Sequence, residues 1–354
     1  MFRDFKAGAL LLIALSIIVS GCSFGADQTM DVTDPPAVSY VDEDISFDSS
    51  FEEDTSDGLT NEIVFETVVR ELYLIDQHGF VAAQTVQLPK VEGVAKQALE
   101  YLVHDGPVSQ LLPNGFQASL PAGTEIYGVN IVDGVGVVDF SEQFKDYRPE
   151  DELKILQSIT WTLTQFDSVE KVIIRINGYD QDVMPVNGTP IGEGFSRSDG
   201  INLEMDNLVD LSNSKAVTLY FLAQSGETPY YVPVTRRVNS SVDQIEAVIN
   251  ELLAGPSSFS NLLTDFRNGV ELLDVPSYAN GIVTVNFNEE LLNHTDGTAI
   301  SEEVLNLLVL SLTEQSGIEK VAIEVNGDNK VLKVTGEFLS EPVARPLKVN
   351  SVKY

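Results

Sequence analysis

Runs of apolar and β-branched residues over 68–75 and 81–88 have the length and composition of strands. Pro89 stands where a helix can begin. Val91, Val94, Ala95, Ala98, Leu99 and Leu102 then fall at the spacing of one helix face, and Gly106-Pro107 is expected to end that helix. A strand is predicted over 125–132, a hairpin turn at Asp133-Gly134, and a partner strand over 135–140. A second helix is predicted over 149–166, with Glu150, Asp151 and Glu152 at its positive end and Leu156, Ile159, Leu163 and Phe166 turned inward. The pattern closes with a strand over 169–176, and Asn177-Gly178 turns the chain toward 183–186.

The same pattern then starts again. Ser168-Val169-Glu170-Lys171-Val172-Ile173-Ile174-Arg175-Ile176-Asn177-Gly178 returns as Gly317-Ile318-Glu319-Lys320-Val321-Ala322-Ile323-Glu324-Val325-Asn326-Gly327, 149 positions later. Strands over 217–222 and 230–234 match the first two. Ser241 with Gln244 offers a capping box to a helix carrying Val242, Ile245, Ile249, Leu252 and Leu253 on one face, and Gly255-Pro256 is expected to end it. Asn280-Gly281 stands where Asp133-Gly134 stood, and Val285 and Phe287 stand where Val138 and Phe140 stood. Ser301 caps the next helix ahead of Glu302 and Glu303, and a strand over 318–325 ends the unit at Asn326-Gly327.

The fold class predicted is α+β: two tandem repeats, each with two helices packed on one face of a small, mostly antiparallel sheet. The domains expected are a signal peptide over 1–21, an acidic tether over 22–66, copies over 67–187 and 214–345, a Gly/Ser/Asn/Asp-rich linker over 188–213 and a tail over 346–354.

Composition narrows the function. Apolar residues make up 43% of 354 positions, enough for real cores. The formal charge is −33, with 21 Lys and Arg among 54 acids, so a surface built to neutralise phosphates is excluded and nucleic acid is not an expected partner. Such acidity also suits an extracytoplasmic protein of a salt-loving or alkaline habitat.

Cys22 is the one cysteine, so no intrachain disulfide forms. Arg3 and Lys6 precede an apolar run over 7–19, followed by Val19-Ser20-Gly21-Cys22. These parts resemble a bacterial lipoprotein signal, in which the cysteine takes a diacylglyceryl group, cleavage after Gly21 leaves Cys22 at the mature N-terminus, and two acyl chains, such as palmitate, on one residue make a stable anchor. The apolar run is shorter than the ~20 residues of a spanning helix, which weighs against an uncleaved anchor with an incidental cysteine. Residues 23–66 hold thirteen acids and no Lys or Arg, the composition of a solvated tether; an acidic docking segment or loose calcium strip is the functional alternative.

Catalytic candidates are thin. A duplicated active site would repeat its polar residues, yet Asp139, the most suggestive strand-end carboxylate, is replaced by Asn286 in the second copy. Glu170-Lys171 and Glu319-Lys320 do match, and read as solvated strand edges. His78, His104 and His294 are widely separated, no other cysteine joins them, and no metal or cofactor is expected. Asn177, Asp180 and Asp182 resemble a loose calcium set without the length or final bidentate acid of a dedicated loop. Trp161, the only tryptophan, is either a partner anchor or core. A one-copy active site stays open.

Taken together, the cysteine motif, the acidic tether and the paired Gly106-Pro107 and Gly255-Pro256 resemble the GerM family of sporulation and germination lipoproteins. So do Val137-Val138-Asp139-Phe140-Ser141 and Val285-Asn286-Phe287-Asn288, and Glu-Lys-Val ahead of Asn-Gly, over about residues 68 to 340. The resemblance implies two GerMN domains, similar to the ring-building modules of secretion machines. It also implies a lipid-anchored protein of the outer forespore membrane that faces the intermembrane space, and that helps localise or stabilise the channel complex joining mother cell and forespore. Channel-complex proteins are the partners implied, with further copies of the chain as an alternative, and the family supplies no catalytic residue. Two readings follow: a non-enzymatic scaffold, and a module that binds or hydrolyses spore cortex peptidoglycan.

Overall fold

A computed structural model describes residues 66–204, 211–292 and 299–351. The leader with Val19, Ser20, Gly21 and Cys22, almost all of the tether, and His294 lie outside the described residues.

The first copy contains strands β1 (Thr67–Asp76) and β2 (Val81–Pro89), helix α1 (Val94–Glu100), strands β3 (Ile126–Val132) and β4 (Val135–Phe140), helix α2 (Glu152–Leu163) and strand β5 (Lys171–Ile176). The second repeats this order with β6 (Ser214–Ser225), β7 (Thr228–Asn239), α3 (Gln244–Ala254), β8 (Ser277–Ala279), β9 (Ile282–Phe287), α4 (Glu302–Thr313) and β10 (Lys320–Val325). The fold is α+β in two repeats.

Within each copy the five strands divide. β1 and β2 form a long antiparallel hairpin, as do β6 and β7. The other three form a mixed sheet in which β4 runs antiparallel to β3 but parallel to β5, because α2 crosses between β4 and β5. β9 and β10 repeat that parallel pairing across α4. Val138 pairs with Ile174 and Val285 with Ile323, and all four lie in the cores. Phe140 and Phe287 are fully buried two positions further on.

Four turns share one backbone conformation. Asp133-Gly134, Asn177-Gly178, Asn280-Gly281 and Asn326-Gly327 all hold positive φ at both residues, from 49° to 80°. Only Asn, Asp and Gly adopt that conformation readily, which is why these dipeptides stand at these positions.

Several boundaries differ from expectation. Gly106-Pro107 does not end α1: the helix stops at Glu100, and Pro107 opens a separate short turn, Pro107–Gln110. Gly255 does cap α3, at φ 80°, and Pro256 follows it. Copy one's helix is therefore the shorter, and Val91 lies outside it and exposed. The cap of α3 is Asp243, whose carboxylate accepts from the Ile245 and Glu246 amides, and not Ser241. Ser301 caps α4 as expected, accepting from the Val304 amide. Glu152 is no solvated helix-dipole acid. It is buried and accepts from the amides of Val186, Asn187 and Thr189 and from the Tyr147 hydroxyl, pinning the loop that follows β5.

Candidate functional site

The polar residues that match between the copies are engaged within the fold. Asp139 Oδ1 accepts from the Gly178 amide at 2.9 Å, and Asn286 Oδ1 accepts from the Gly327 amide at 3.0 Å. A carbonyl-type oxygen is all the turn requires, so aspartate and asparagine serve equally. The suggestive carboxylate is a turn brace. Glu170 and Glu319 also have one role each: their stems lie over the hairpin glycines Gly134 and Gly281, where an added Cβ would come within 3.1 Å of the glutamate Cδ. Of the loose calcium set, Asp180 pairs with Arg175 and Asn177 donates to Glu142 at 2.9 Å. His78 meets Gln77 and Asn261, and His104 lies 4.0 Å from Asp105. Among the described residues no group of three or more His, Cys, Asp or Glu is placed to hold a metal.

The richest cluster of polar chemistry lies at the seam between the copies, and its arms come from the expected linker, the last residues of the second expected copy and the tail. After β5, Phe195–Ser196 pairs antiparallel with Lys171 and Val172; after β10, Val343–Ala344 pairs the same way with Lys320 and Val321. Then comes Arg197-Ser198-Asp199-Gly200-Ile201-Asn202 in one copy and Arg345-Pro346-Leu347-Lys348-Val349-Asn350 in the other. An arginine, a branched aliphatic residue four positions on, and an asparagine are common to both. The repeat thus runs through Asn202 and Asn350.

Each arm crosses to the other copy. Asn202 takes the Val81 amide on its Oδ1 at 2.9 Å and donates to Val81 O at 2.8 Å and Pro233 O at 2.7 Å. Asn350 takes the Tyr231 amide at 2.8 Å and donates to Tyr231 O at 2.9 Å and Ala83 O at 2.7 Å. Ala83 and Pro233 are equivalent, each paired with a hairpin tyrosine, Tyr73 and Tyr220; Val81 and Tyr231 are equivalent two positions before. The two asparagines therefore make the same three bonds with the copies interchanged. Backbone pairing also crosses, one position out of step between the arms: the Thr235 amide donates to Ile201 O at 2.9 Å, and the Thr85 amide to Asn350 O at 2.8 Å.

Helices cover the other edges of the hairpins with side chains. The Tyr73 amide donates to Thr162 Oγ1 at 3.0 Å, and the Tyr220 amide to Ser311 Oγ at 2.9 Å. Gln165 donates to Glu71 O at 2.7 Å, and Gln315 to Thr218 O at 2.8 Å. Beyond the short backbone pairings of Ile75 and Asp76 with Phe116–Gln117 and of Leu222 with Leu263, these edges are satisfied by side chains, as burial requires.

Glu314 is the charged centre of the seam. Its side chain is 7% exposed, and it receives Arg197 at 2.7 Å and Arg345 at 3.2 Å, with the Tyr220 hydroxyl donating at 3.1 Å. Burial works to raise its carboxyl, but the two guanidiniums and the hydrogen bonds from Arg197 and Tyr220 hold it below the ordinary value. Arg197 also lies 4.3 Å over the Trp161 ring, and Arg345 lies 5.3 Å over Tyr220. Trp161 is fully buried, so it is core under the arm and not an anchor for a partner. Burial raises the Tyr73 hydroxyl to about 12 and raises the Glu71 carboxyl.

Comparison with known proteins agrees with this organisation. A family model for Germane domains, described as sporulation and spore germination, matches residues 71–182 and 218–331. The chain is 48% identical over 347 residues, 95% of each chain, to the spore germination protein GerM of Bacillus subtilis strain 168. It is also similar to the solved tandem GerMN domains of the sporulation protein GerM from Bacillus subtilis, at 52% identity and TM-score 0.76, covering 80% of this chain and 100% of that one.

Proposed function

From the premise that the chain belongs to the Germane family of sporulation and spore germination proteins, we propose that it is a non-enzymatic scaffold, held by a lipid on Cys22 at the outer face of a membrane, that supports the channel complex between mother cell and forespore. One observation carries the reading. Polar groups common to both copies brace turns, cover strand edges or close the seam, as Asp139 and Asn286, Thr162 and Ser311, and Asn202 and Asn350 do. The duplication builds one joined body whose outer surfaces remain available for docking. Lipidation, the membrane location and the channel partners are parts of the proposal. Among the described residues no helix is long and apolar enough to cross a membrane.

The test is made in sporulating cells. In a strain whose chain carries Cys22→Ala, channel proteins are expected to lose their normal position and the chain to leave the membrane fraction. Normal channel assembly in a deletion strain would remove the scaffold reading. Hydrolysis of purified cortex by the soluble fragment from Asp27 onward, abolished by one carboxylate substitution that leaves the fold intact, would install the peptidoglycan reading in its place.

A further inference from the structure

Among the described strands longer than three residues, one has an outer edge that takes part in no backbone pairing. β2 and β7 are covered by the exchanged arms, β1 and β6 by polar side chains of α2 and α4, and β5 and β10 by the short strands at 195–196 and 343–344. β3 stands at the end of its sheet and pairs only with β4, and residues 126–132 make no backbone bonds outside that pairing.

Its sequence, Ile126-Tyr127-Gly128-Val129-Asn130-Ile131-Val132, contains no charge. A bulge at Tyr127 leaves a regular stretch from Gly128 to Val132. Val129 and Ile131 are half-buried against the first core, while Tyr127 and Val132 are exposed. Natural proteins blunt such edges with lysine, proline, brevity or a bulge, and β3 has only the bulge at Tyr127, which leaves Gly128 to Val132 regular. The second copy uses two of them. β8 has three residues, Pro276 precedes it, and Val275 is exposed.

We propose that the outer edge of β3 is a docking strand for an extended segment of another protein, alternating in polarity and carrying basic residues at both ends. Charge selects this occupant. Glu125 and Asp133 flank the strand, Glu170 lies against the adjacent turn, and the stretch 97–144 holds no Lys or Arg. A second copy of the chain, added antiparallel, would set its Asp133 against Glu125 and its Glu125 against Asp133, a repulsive pairing. A basic-ended strand completes the sheet with attraction at each end, and its inward side chains would extend the apolar row of Val129 and Ile131. This inference rests on the scaffold reading and gives it a place of contact.

The probe is a synthetic eight-residue peptide of alternating valine and threonine with lysine at both ends, added to the full-length chain and followed by amide hydrogen exchange. A glutamate-ended peptide is the control. The lysine-ended peptide is expected to slow exchange in 126–132 and not in 277–287, and to bind about tenfold more tightly than the control. Val132→Lys, at an exposed position, is expected to shrink that preference without altering the fold. Absent protection, equal binding of both peptides, or protection confined to 277–287 would overturn the proposal. So would protection of 126–132 that grows with protein concentration when no peptide is added, since a second copy would then be the occupant. If Val132→Lys still recruits channel proteins in cells while a deletion strain does not, the edge fails and the scaffold stands.

Discussion

The seam and the outer sheet faces show opposite relations between the two copies. At the seam the copies share their asparagine bonds, with Asn202 and Asn350 making interchanged contacts around the one-sided Glu314. On the outer faces they part: Val137 pairs with Ile173 in copy one, where Thr284 pairs with Ala322 in copy two. The strands at the sheet ends part as well, seven residues in β3 against three in β8. A contact that both copies must make at once constrains both, whereas a free surface constrains neither. Shared residues therefore report assembly of the body, and unshared ones report where the copies do different work.

The largest test of this contrast is at the asparagines. Asn202→Ala and Asn350→Ala each leave two carbonyls and an amide without their partner, so each is expected to lower stability by about 3 kcal/mol, read from the urea unfolding midpoint. Equal losses would support interchanged roles, and a large inequality would break the equivalence.

Next is Glu314→Gln, expected to cost about 2 kcal/mol by leaving Arg197 and Arg345 without a charge partner. Because the folded carboxyl lies below its ordinary 4.5, its contribution is fully present above that value and is lost as pH falls through the folded value. A stability profile below pH 4.5 should fall less steeply for the variant than for the parent.

A smaller effect is expected at the turn brace. Asp139→Ala should cost about 1 kcal/mol, while Asp139→Asn, which imitates copy two, should stay within about 0.5 kcal/mol. Thermal melts of the pair decide whether the carboxylate has any role that the amide lacks.

The smallest effect has the opposite sign. Burial raises the Glu71 carboxyl, so its favourable contribution exists in acid and is lost as pH rises through the folded value. At pH 7, Glu71→Gln should give a small rise in melting temperature and no rise in acid.

What could be read from the chain follows from how local each signal is. Asp133-Gly134 and Asn280-Gly281 announce hairpins because the turn conformation itself selects those residues. The face of α2 is legible from spacing alone, through Leu156, Ile159 and Leu163. Asp243 was hidden behind Ser241 because two cap-type residues stand two apart, and only the backbone chooses between them. Glu152 looks like any acid at a helix start; its burial depends on where the loop after β5 returns. Farthest from reach were the arms. Their shared Arg and Asn are separated by four residues, three of them dissimilar, and their partners lie in both copies, so neither periodicity nor composition marks them. An alignment of the repeat carried past Asn177-Gly178 and Asn326-Gly327 would have exposed the arginine and asparagine.

The exchange of arms also decides where this chain can be divided for study. A fragment ending at 187, after the family-like core, would discard Asn202 and lack Asn350 as well, leaving β2 bare along its length. One ending beyond Glu204 carries its own asparagine, yet still lacks the neighbour that should sit across from it. Pieces cut at either place are half of a mutual fastening, and their behaviour in solution will reflect that missing half before it reflects any native property of the module.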